Sequence, residues 1–378
     1  MLISQFGNAT LRVGGTQQDY DVYVDFDDGS LNQTCENLPD VMTTFRCEPV
    51  YKEQWKELLA FSNRNGLKLV FGLNDMFGRP TKTLKPEIGT CSEKSCPKRN
   101  ASNLKSLLDF TFQEKPIGWD SIEAFELGNE LNKALNGTVG AISQAEDLKN
   151  LRTMVASSLV KIYGPDTHSY SQYSESGREW IEAFSKNVSS SIDAYTFHQY
   201  CMVRHLILLC VGLHTHLHPH THTQGDGPSL DPNRLNASFL NLTALKKCRE
   251  GAEYVINSTR PEQHHVIAGE TAAANNGGQS GITDTYIDGF WLLFQLGEFA
   301  KLGIKQHFRQ VFLASGGYPL VEVTKKKSSF TSDAFYETRF RKHIRRTSSR
   351  NVSLALSAAR TFSLSLCLFF EFQPYPSL

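Results

Sequence analysis

Short runs of apolar and β-branched residues alternate along the chain with stretches whose apolar positions recur every three or four residues. The first pattern is typical of buried parallel strands and the second of amphipathic helices. We predict seven strands, at residues 9–14, 67–73, 122–127, 159–163, 194–198, 265–268 and 304–312. Helices are predicted between them, most clearly at residues 52–64 and 284–301. The alternation indicates repeated β/α units around a parallel sheet.

Seven strands are one fewer than a complete barrel of the TIM type contains. We therefore predict an α/β fold in which residues 1–323 form a (β/α)8 barrel that lacks its first strand. An open doubly wound sheet is the alternative, and it fits the pattern less well.

Two segments depart from this alternation of predicted strands and helices. Residues 201–224 hold six histidines, five of which alternate with other residues between positions 214 and 222, and we interpret the segment as a low-complexity insertion. Histidines on one face of an extended strand could also bind zinc or copper. Residues 324–378 are basic and rich in serine, and we predict that they lie outside the fold. Their apolar stretch at 364–370 is too short to span a membrane, so any membrane association is at most peripheral.

Composition narrows the classes of function. The 378 residues carry 39 basic and 39 acidic side chains, which argues against a nucleic-acid partner, although a local groove for an acidic ligand fits this balance. Nine Asn-X-Ser/Thr triplets favour the secretory route, so we expect an extracellular or lysosomal protein. The first residues do not resemble a signal peptide, and we expect the N-terminus to be incomplete.

Eight cysteines are compatible with this route because disulfides persist in oxidising compartments. Cys91 with Cys96, and Cys35 with Cys47, are reasonable disulfide pairs.

Two carboxylates carry the candidate chemistry. Glu130 follows Asn129 just after the predicted strand 122–127, and Glu270 follows the predicted strand 265–268. Because parallel strands of a barrel direct their carboxyl ends to the active site, two such residues can face one another there. One protonated and one ionised carboxyl group are the requirement for hydrolysis of a glycoside. The alternative is that each is an ordinary solvated carboxylate at a strand end.

The same residues belong to an ordered series of motifs. The chain resembles heparanase and the heparanase-like β-glucuronidases of glycoside hydrolase family 79. The matching stretches are LRVGGT (11–16), VFGLN (70–74), FELGNEL (125–131), YGPD (163–166), FHQY (197–200), GET (269–271) and RQVF (309–312). The resemblance covers about residues 5–323. It implies a TIM-type barrel followed by a β-sandwich domain, and we find no sequence for that sandwich here.

The resemblance implies a retaining β-glucuronidase that needs no cofactor or metal and acts on an acidic polysaccharide or a proteoglycan glycan. It gives Glu130 the role of general acid/base and Glu270 that of nucleophile. Asn129 would bind the sugar 2-hydroxyl, and Arg12 would keep the nucleophile ionised.

Six more residues match functional positions of the family. Those beside the nucleophile are His198 and Tyr200. Those that bind the uronate carboxylate or line its pocket are Thr16, Gly277, Gly316 and Tyr318. Structural alternatives are a plain ion pair for Arg12, core packing for His198 and Tyr200, and simple turns for the two glycines.

Two other functions stay open at this point. A truncated chain could bind acidic glycans without turnover, which the absent strand and the basic tail would explain. A barrel hydrolase of neutral β-glycosides would keep Glu130 and Glu270 but would have no carboxylate site near Gly277 and Tyr318.

Overall fold

The computed structural model describes residues 9–26, 48–78, 99–132, 139–155, 159–168, 175–202, 239, 241–259, 264–274, 278–314, 319–323, 328–330 and 363–368. The chain divides into two compact units. The first unit contains residues 1–198, 255–269 and 367–378, and the second contains 199–254 and 270–366.

Thirteen strands and six α-helices are described. The strands are β1 (Thr10–Val13), β2 (Asp21–Val24), β3 (Glu48–Tyr51), β4 (Lys68–Leu73), β5 (Ile122–Leu127), β6 (Lys161–Thr167), β7 (Ala194–Tyr200), β8 (His265–Ala272), β9 (Gln306–Arg309), β10 (Leu313–Ala314), β11 (Val321–Val323), β12 (Ser328–Phe330) and β13 (Ser363–Leu368). The helices are α1 (Lys52–Arg64), α2 (Ser102–Glu114), α3 (Ala141–Met154), α4 (Glu175–Val188), α5 (Leu242–Ser258) and α6 (Asp288–Lys301).

The order of the strands identifies the fold. Hydrogen-bonded neighbours follow the order β1-β13-β9-β8-β7-β6-β5-β4, which is that of a closed barrel. Within the first unit, successive strands β4, β5, β6 and β7 pair in parallel, each beside the next along the chain. A doubly wound sheet would instead reverse its order at a switch point. The predicted (β/α)-barrel class is therefore confirmed.

The predicted elements coincide with observed ones. All seven predicted strands overlap strands of the structure, and α1 has the predicted bounds. β6 was expected at 159–163 and runs from Lys161 to Thr167, while the helix expected from residue 284 begins at Asp288. Continuous apolar runs made these strands recognisable, because parallel strands of a barrel are buried on both faces.

Aromatic packing fixes α1 in the first unit. Trp55 is 1% exposed, and its ring centroid lies 4.7 Å from that of Phe71 on β4. Its indole N–H donates to Thr111 Oγ1 of α2 at 2.9 Å. One side chain thus joins two helices to the sheet and holds β4 in place, and the carbonyl of Leu73 at the end of β4 accepts the N–H of Gly128.

The tail contributes a strand, contrary to expectation. In the second unit, Ser363–Leu366 of β13 pairs in parallel with Gln306–Arg309 of β9. Residues 324–378 therefore do not all stand outside the fold. The sequence from 363 to 368 alternates serine or cysteine with leucine, which is the period of a strand. Taken only as an apolar run, residues 364–370 predict a segment that is too short to span a membrane.

The second unit has its own core around α6. Trp291 and Leu292 of α6 pack in a cluster with Met202 and Phe239. Tyr286 and Phe290, two aromatic residues within the predicted helix 284–301, are exposed. The buried face of α6 is formed by Trp291, Leu292 and Leu296.

Candidate active site

The turn after β5 presents Asn129 and Glu130 in a constrained backbone. Gly128 has φ 75° and Glu130 has φ 52°, so both adopt the left-handed region. The N–H of Asn129 donates to Asp19 Oδ2 at 3.0 Å, and the N–H of Glu130 donates to the carbonyl of Asp166 at 2.9 Å. A non-glycine residue keeps a positive φ only where its surroundings enforce it. The turn is therefore built to hold Glu130 in one position.

His198 on β7 lies between two carboxylates of the first unit. Its Nδ1 is 2.7 Å from Glu130 Oε1, and its Nε2 is 2.6 Å from Asp166 Oδ1. The His198 side chain is fully buried. A neutral imidazole has one donor and one acceptor nitrogen. Both short contacts are therefore satisfied only if His198 is protonated or if one of the two carboxyl groups carries a proton.

Arg12 on β1 joins this group of charges. Its Nε donates to Glu126 Oε2 at 2.6 Å, and its Nη2 forms an ion pair with Asp166 Oδ2. All three side chains have no exposed surface. Buried charges are retained in proteins when they are paired in this way. The contribution of Arg12 to the ionisation of Glu270 stays a prediction.

Burial shifts the acidity of two carboxyl groups in the first unit. It raises the pKa of Glu126 from 4.5 to about 7, although Arg12 lowers it. Burial also raises the pKa of Asp19 well above 3.8, against the lowering effect of the Asn129 N–H, while Asp75 raises it further. Glu126 and Asp19 therefore bind protons more readily than carboxyl groups in water.

Glu270 has a separate environment in the second unit. It lies on β8 and is 6% exposed. The hydroxyl of Tyr200, at the end of β7, donates to Glu270 Oε1 and lies 2.5 Å from Gln310 Oε1. The backbone N–H of Gln310 donates to the carbonyl of Thr271 at 2.8 Å. The hydroxyl of Tyr200 therefore fixes the orientation of the Glu270 carboxyl group.

A disulfide bond lies next to Tyr200. Cys201 is bonded to Cys248 of α5, with 5.1 Å between the Cα atoms and a sequence separation of 47. The indole N–H of Trp291 donates to Cys201 Sγ at 3.3 Å. This pairing was not predicted from the sequence, because its two cysteines stand on either side of a long segment. It anchors the end of β7 to α5.

The structure describes seven of the ten predicted site residues. Thr16 begins a 3-10 helix, Thr16–Tyr20, and is half-buried. Asp19 of the same helix, rather than Thr16, accepts the Asn129 N–H. Some predictions concern residues that the structure does not describe. These residues are Gly277, Gly316, Tyr318, the His-rich segment from residue 203 onward, and the predicted disulfide pairs Cys91 with Cys96 and Cys35 with Cys47.

Sequence reasoning missed several residues that contact the predicted pair or its partners, among them Asp166, Gln310 and Glu126. Asp166 closes the YGPD stretch, Gln310 belongs to RQVF, and Glu126 lies within an otherwise apolar strand. A charged residue inside a buried strand is itself a signal, because burying an unpaired charge is costly. The partner of that charge, Arg12, could not be read from the same local pattern.

Within the described part of the chain, we find no helix with the length and apolar character that a membrane span requires.

Comparison with protein families gives one match over most of the chain. Residues 2–297 match the model of glycosyl hydrolase family 79, N-terminal domain. Heparanase-like protein 3 of Arabidopsis thaliana is 29% identical in an alignment of 340 positions that covers 85% of this chain and 53% of the relative. Baicalin-beta-D-glucuronidase of Scutellaria baicalensis is 28% identical, over 85% of this chain and 56% of its own length. The chain thus spans about half the length of these curated relatives.

Comparison with solved structures supports the fold. A 4-O-alpha-L-rhamnosyl-beta-D-glucuronidase from Fusarium oxysporum 12S superposes with a TM-score of 0.56 at 17% identity, covering 89% of this chain and 63% of the other. A family 51 alpha-L-arabinofuranosidase from Bifidobacterium longum gives a TM-score of 0.54 at 10% identity, covering 89% and 65%. At such identities the likeness concerns the fold alone.

Proposed function

Because the chain belongs to glycosyl hydrolase family 79, we propose that it is a retaining β-glucuronidase of heparanase type that cleaves glucuronide-containing glycans. The observation that carries this assignment is a pair of buried glutamates, each with its own hydrogen-bond partner. Glu130 contacts His198 in the first unit, and Glu270 accepts from Tyr200 in the second. A retaining glycosidase needs two carboxyl groups with different protonation states.

In the proposed mechanism, the two glutamates act in a double displacement. The carboxylate of Glu270 attacks the anomeric carbon while protonated Glu130 gives its proton to the glycosidic oxygen, and the bond to the leaving group breaks. Glu130, now ionised, takes a proton from water, whose oxygen attacks the anomeric carbon and releases Glu270. Tyr200 holds the carboxylate of Glu270 in place by donating to it, and Asn129 binds the sugar 2-hydroxyl.

We propose a glucuronate ring as the substrate unit that the enzyme recognises. Names of relatives support this: one is a glucuronidase of baicalin, and heparanase of Mus musculus is 28% identical over 70% of this chain and 42% of its own length. Thr16, Gly277, Gly316 and Tyr318 are the proposed uronate-binding residues. Heparan sulfate or a related proteoglycan chain is the proposed polymeric substrate.

We also propose that the protein is secreted or lysosomal and carries N-linked glycans. Three sequon asparagines, Asn100, Asn241 and Asn257, are exposed, which is what glycan attachment requires. After expression in a secreting eukaryotic host, treatment with an endoglycosidase should lower the mass, and Asn257→Gln should remove one glycan. An unchanged mass on enzyme treatment would contradict this placement.

Activity on paired substrates tests the function. We expect hydrolysis of p-nitrophenyl β-D-glucuronide and little or none of the matching β-D-glucoside. A preference for the glucoside would indicate a hydrolase of neutral β-glycosides, and no turnover of either would indicate a non-catalytic glycan-binding fragment. The matched control is Glu53→Gln, because Glu53 is 76% exposed on α1 and its loss should leave turnover unchanged.

The two carboxyl roles have separate tests. A 2-fluoro-glucuronyl fluoride should label the peptide that contains Glu270, and Glu270→Gln should abolish labelling. Glu130→Ala should lower turnover of substrates with poor leaving groups by roughly 10²- to 10⁴-fold and affect activated ones much less. Azide should rescue the Glu130→Ala variant and give a β-glucuronyl azide, because azide needs no general base. A label on another residue would refute the nucleophile assignment.

A further inference from the structure

Asp166 contacts Glu130 directly through its backbone carbonyl and indirectly, through His198, with its side chain. Its carbonyl accepts the N–H of Glu130 at 2.9 Å, and its Oδ1 contacts His198, whose other ring nitrogen contacts Glu130 Oε1. We propose, as an extension of the proposed function, that Asp166 and His198 form a positioning pair that holds the general acid/base Glu130 in place and keeps its proton available.

Counting protons explains what this pair does. Glu130, His198 and Asp166 are joined by two contacts of 2.7 Å and 2.6 Å. With both carboxylates ionised and His198 neutral, a lone pair on one ring nitrogen would face an oxygen anion. One additional proton removes that repulsion, and because Asp166 is paired with Arg12, that proton resides on Glu130 or on the ring. Glu130 and His198 therefore share a proton that Glu130 can give to a leaving group.

Asp166 is fixed by groups from several strands. Arg12 of β1 forms an ion pair with its Oδ2, and its backbone N–H donates to Thr196 Oγ1 of β7 at 2.9 Å. A Cβ atom at Gly269 would come within 2.9 Å of Asp166 Oδ1, so the absent side chain provides room for the carboxylate. Asp166 has φ 61°, a strained value for a residue with a side chain. Such a conformation persists because the surroundings over-determine it.

These contacts also change the role of His198. Both of its ring nitrogens are taken by Glu130 and Asp166, which leaves no ring nitrogen to bind a sugar hydroxyl. We therefore assign His198 to the acid/base rather than to substrate binding. Asp166 is the group that selects the Nε2–H tautomer, because an ionised carboxylate can only accept. In that tautomer Nδ1 accepts the proton of Glu130.

The surrounding charges set the direction of a pH effect. Charged or titratable groups of the first unit near this pair are Arg12 of β1, Glu126 of β5, Asp19 of the 3-10 helix, Asp75 after β4 and His168 after β6. The negative charge of Asp166 favours the protonated form of the Glu130 and His198 couple. When that charge is removed, Arg12 remains, so the couple loses its proton at lower pH.

The test is the pH profile of the Asp166→Asn variant. We expect the basic limb of kcat/KM to move to lower pH by about one unit, since one neighbouring charge commonly shifts a pKa by one to three units. Turnover of a glucuronide with a poor leaving group should fall by roughly 10²-fold while KM changes little. Asp109→Asn is the control, because Asp109 is an exposed residue of α2 paired only with Lys105 in the described structure. An unmoved basic limb would overturn the inference.

A double-mutant cycle separates positioning from structure. In the Glu130→Ala background, Asp166→Asn should cause no further loss of turnover on the poor leaving group, because Asp166 acts through Glu130. Additive losses would mean that Asp166 only supports the fold. If Asp166→Asn does not fold, His198→Gln replaces it, since glutamine keeps hydrogen bonding but cannot titrate. If Glu130→Ala itself shows no dependence on the leaving group, the proposed function fails, and the two failures are thereby distinguished.

Discussion

Replacing Glu126 with glutamine removes one buried carboxyl group from the network of the first unit and keeps its shape. Glu126 has no exposed surface and binds Arg12 through a single contact of 2.6 Å. Burial raises the pKa of Glu126 to about 7, in spite of Arg12. Below about pH 7, the folded protein therefore keeps the Glu126 carboxyl group protonated.

The raised pKa of Glu126 gives the sign and the size of the effect of this carboxyl group on the stability of the folded protein. Below the unfolded pKa of 4.5 the group is protonated in both states, and its favourable contribution is fully present. As the pH rises through 7, the contribution is lost, because the folded protein must ionise a buried acid. A pKa displaced from 4.5 to about 7 corresponds to about 3 kcal/mol. Glutamine does not titrate, so the variant should escape this loss.

Urea unfolding, followed by the fluorescence of the four tryptophans, gives the measurement. We expect Glu126→Gln to gain stability relative to the wild type by about 3 kcal/mol between pH 4.5 and about pH 8. Glu53→Gln on the exposed face of α1 is the control and should show no such trend. A variant that loses stability relative to the wild type as the pH rises would refute the reasoning, because the ion pair with Arg12 would then outweigh burial.

Three further variants test the packing of α1, the disulfide bond and the space around Asp166. Trp55→Ala should lower the free energy of unfolding by about 3 to 5 kcal/mol in urea titrations, and a loss below about 1 kcal/mol would show that the site collapses around the cavity. Replacing both Cys201 and Cys248 with serine should cost roughly 2 to 4 kcal/mol and abolish the response of the unfolding midpoint to a reducing agent; a midpoint equal to that of the wild type would argue against a stabilising disulfide. Gly269→Ala should reduce glucuronide turnover, because the new methyl group would displace Asp166, and unchanged turnover would show that the carboxylate tolerates it.

The strands and α1 were predictable because their signals are local. A buried parallel strand needs an unbroken apolar run, and the runs at 67–73 and 122–127 match β4 and β5 to within one residue. The tail strand β13 was overlooked because its alternating serine and leucine pattern predicts an element but not its neighbours. Only the fold pairs it with β9.

In the site, too, local sequence patterns predicted some residues, while residues distant in the chain could not be predicted as their partners. Glu130 and Glu270 could be selected from the sequence because each follows or closes a strand with a polar or small neighbour. Their partners could not, because Arg12 pairs with Glu126 across 114 positions, and Tyr200 contacts Glu270 across 70. Nothing in the local pattern of one strand specifies which charge on another strand it will meet.

The amino-acid sequence by itself determined the barrel class, the positions of seven strands and the two candidate glutamates, since hydrophobic periodicity and strand-end residues are properties of short segments. The tertiary structure decided which protons and charges those glutamates share. It placed His198 between Glu130 and Asp166, and Tyr200 against Glu270. Hydrogen bonds and ion pairs depend on distances of a few ångströms between residues far apart in the chain, and only folding sets those distances.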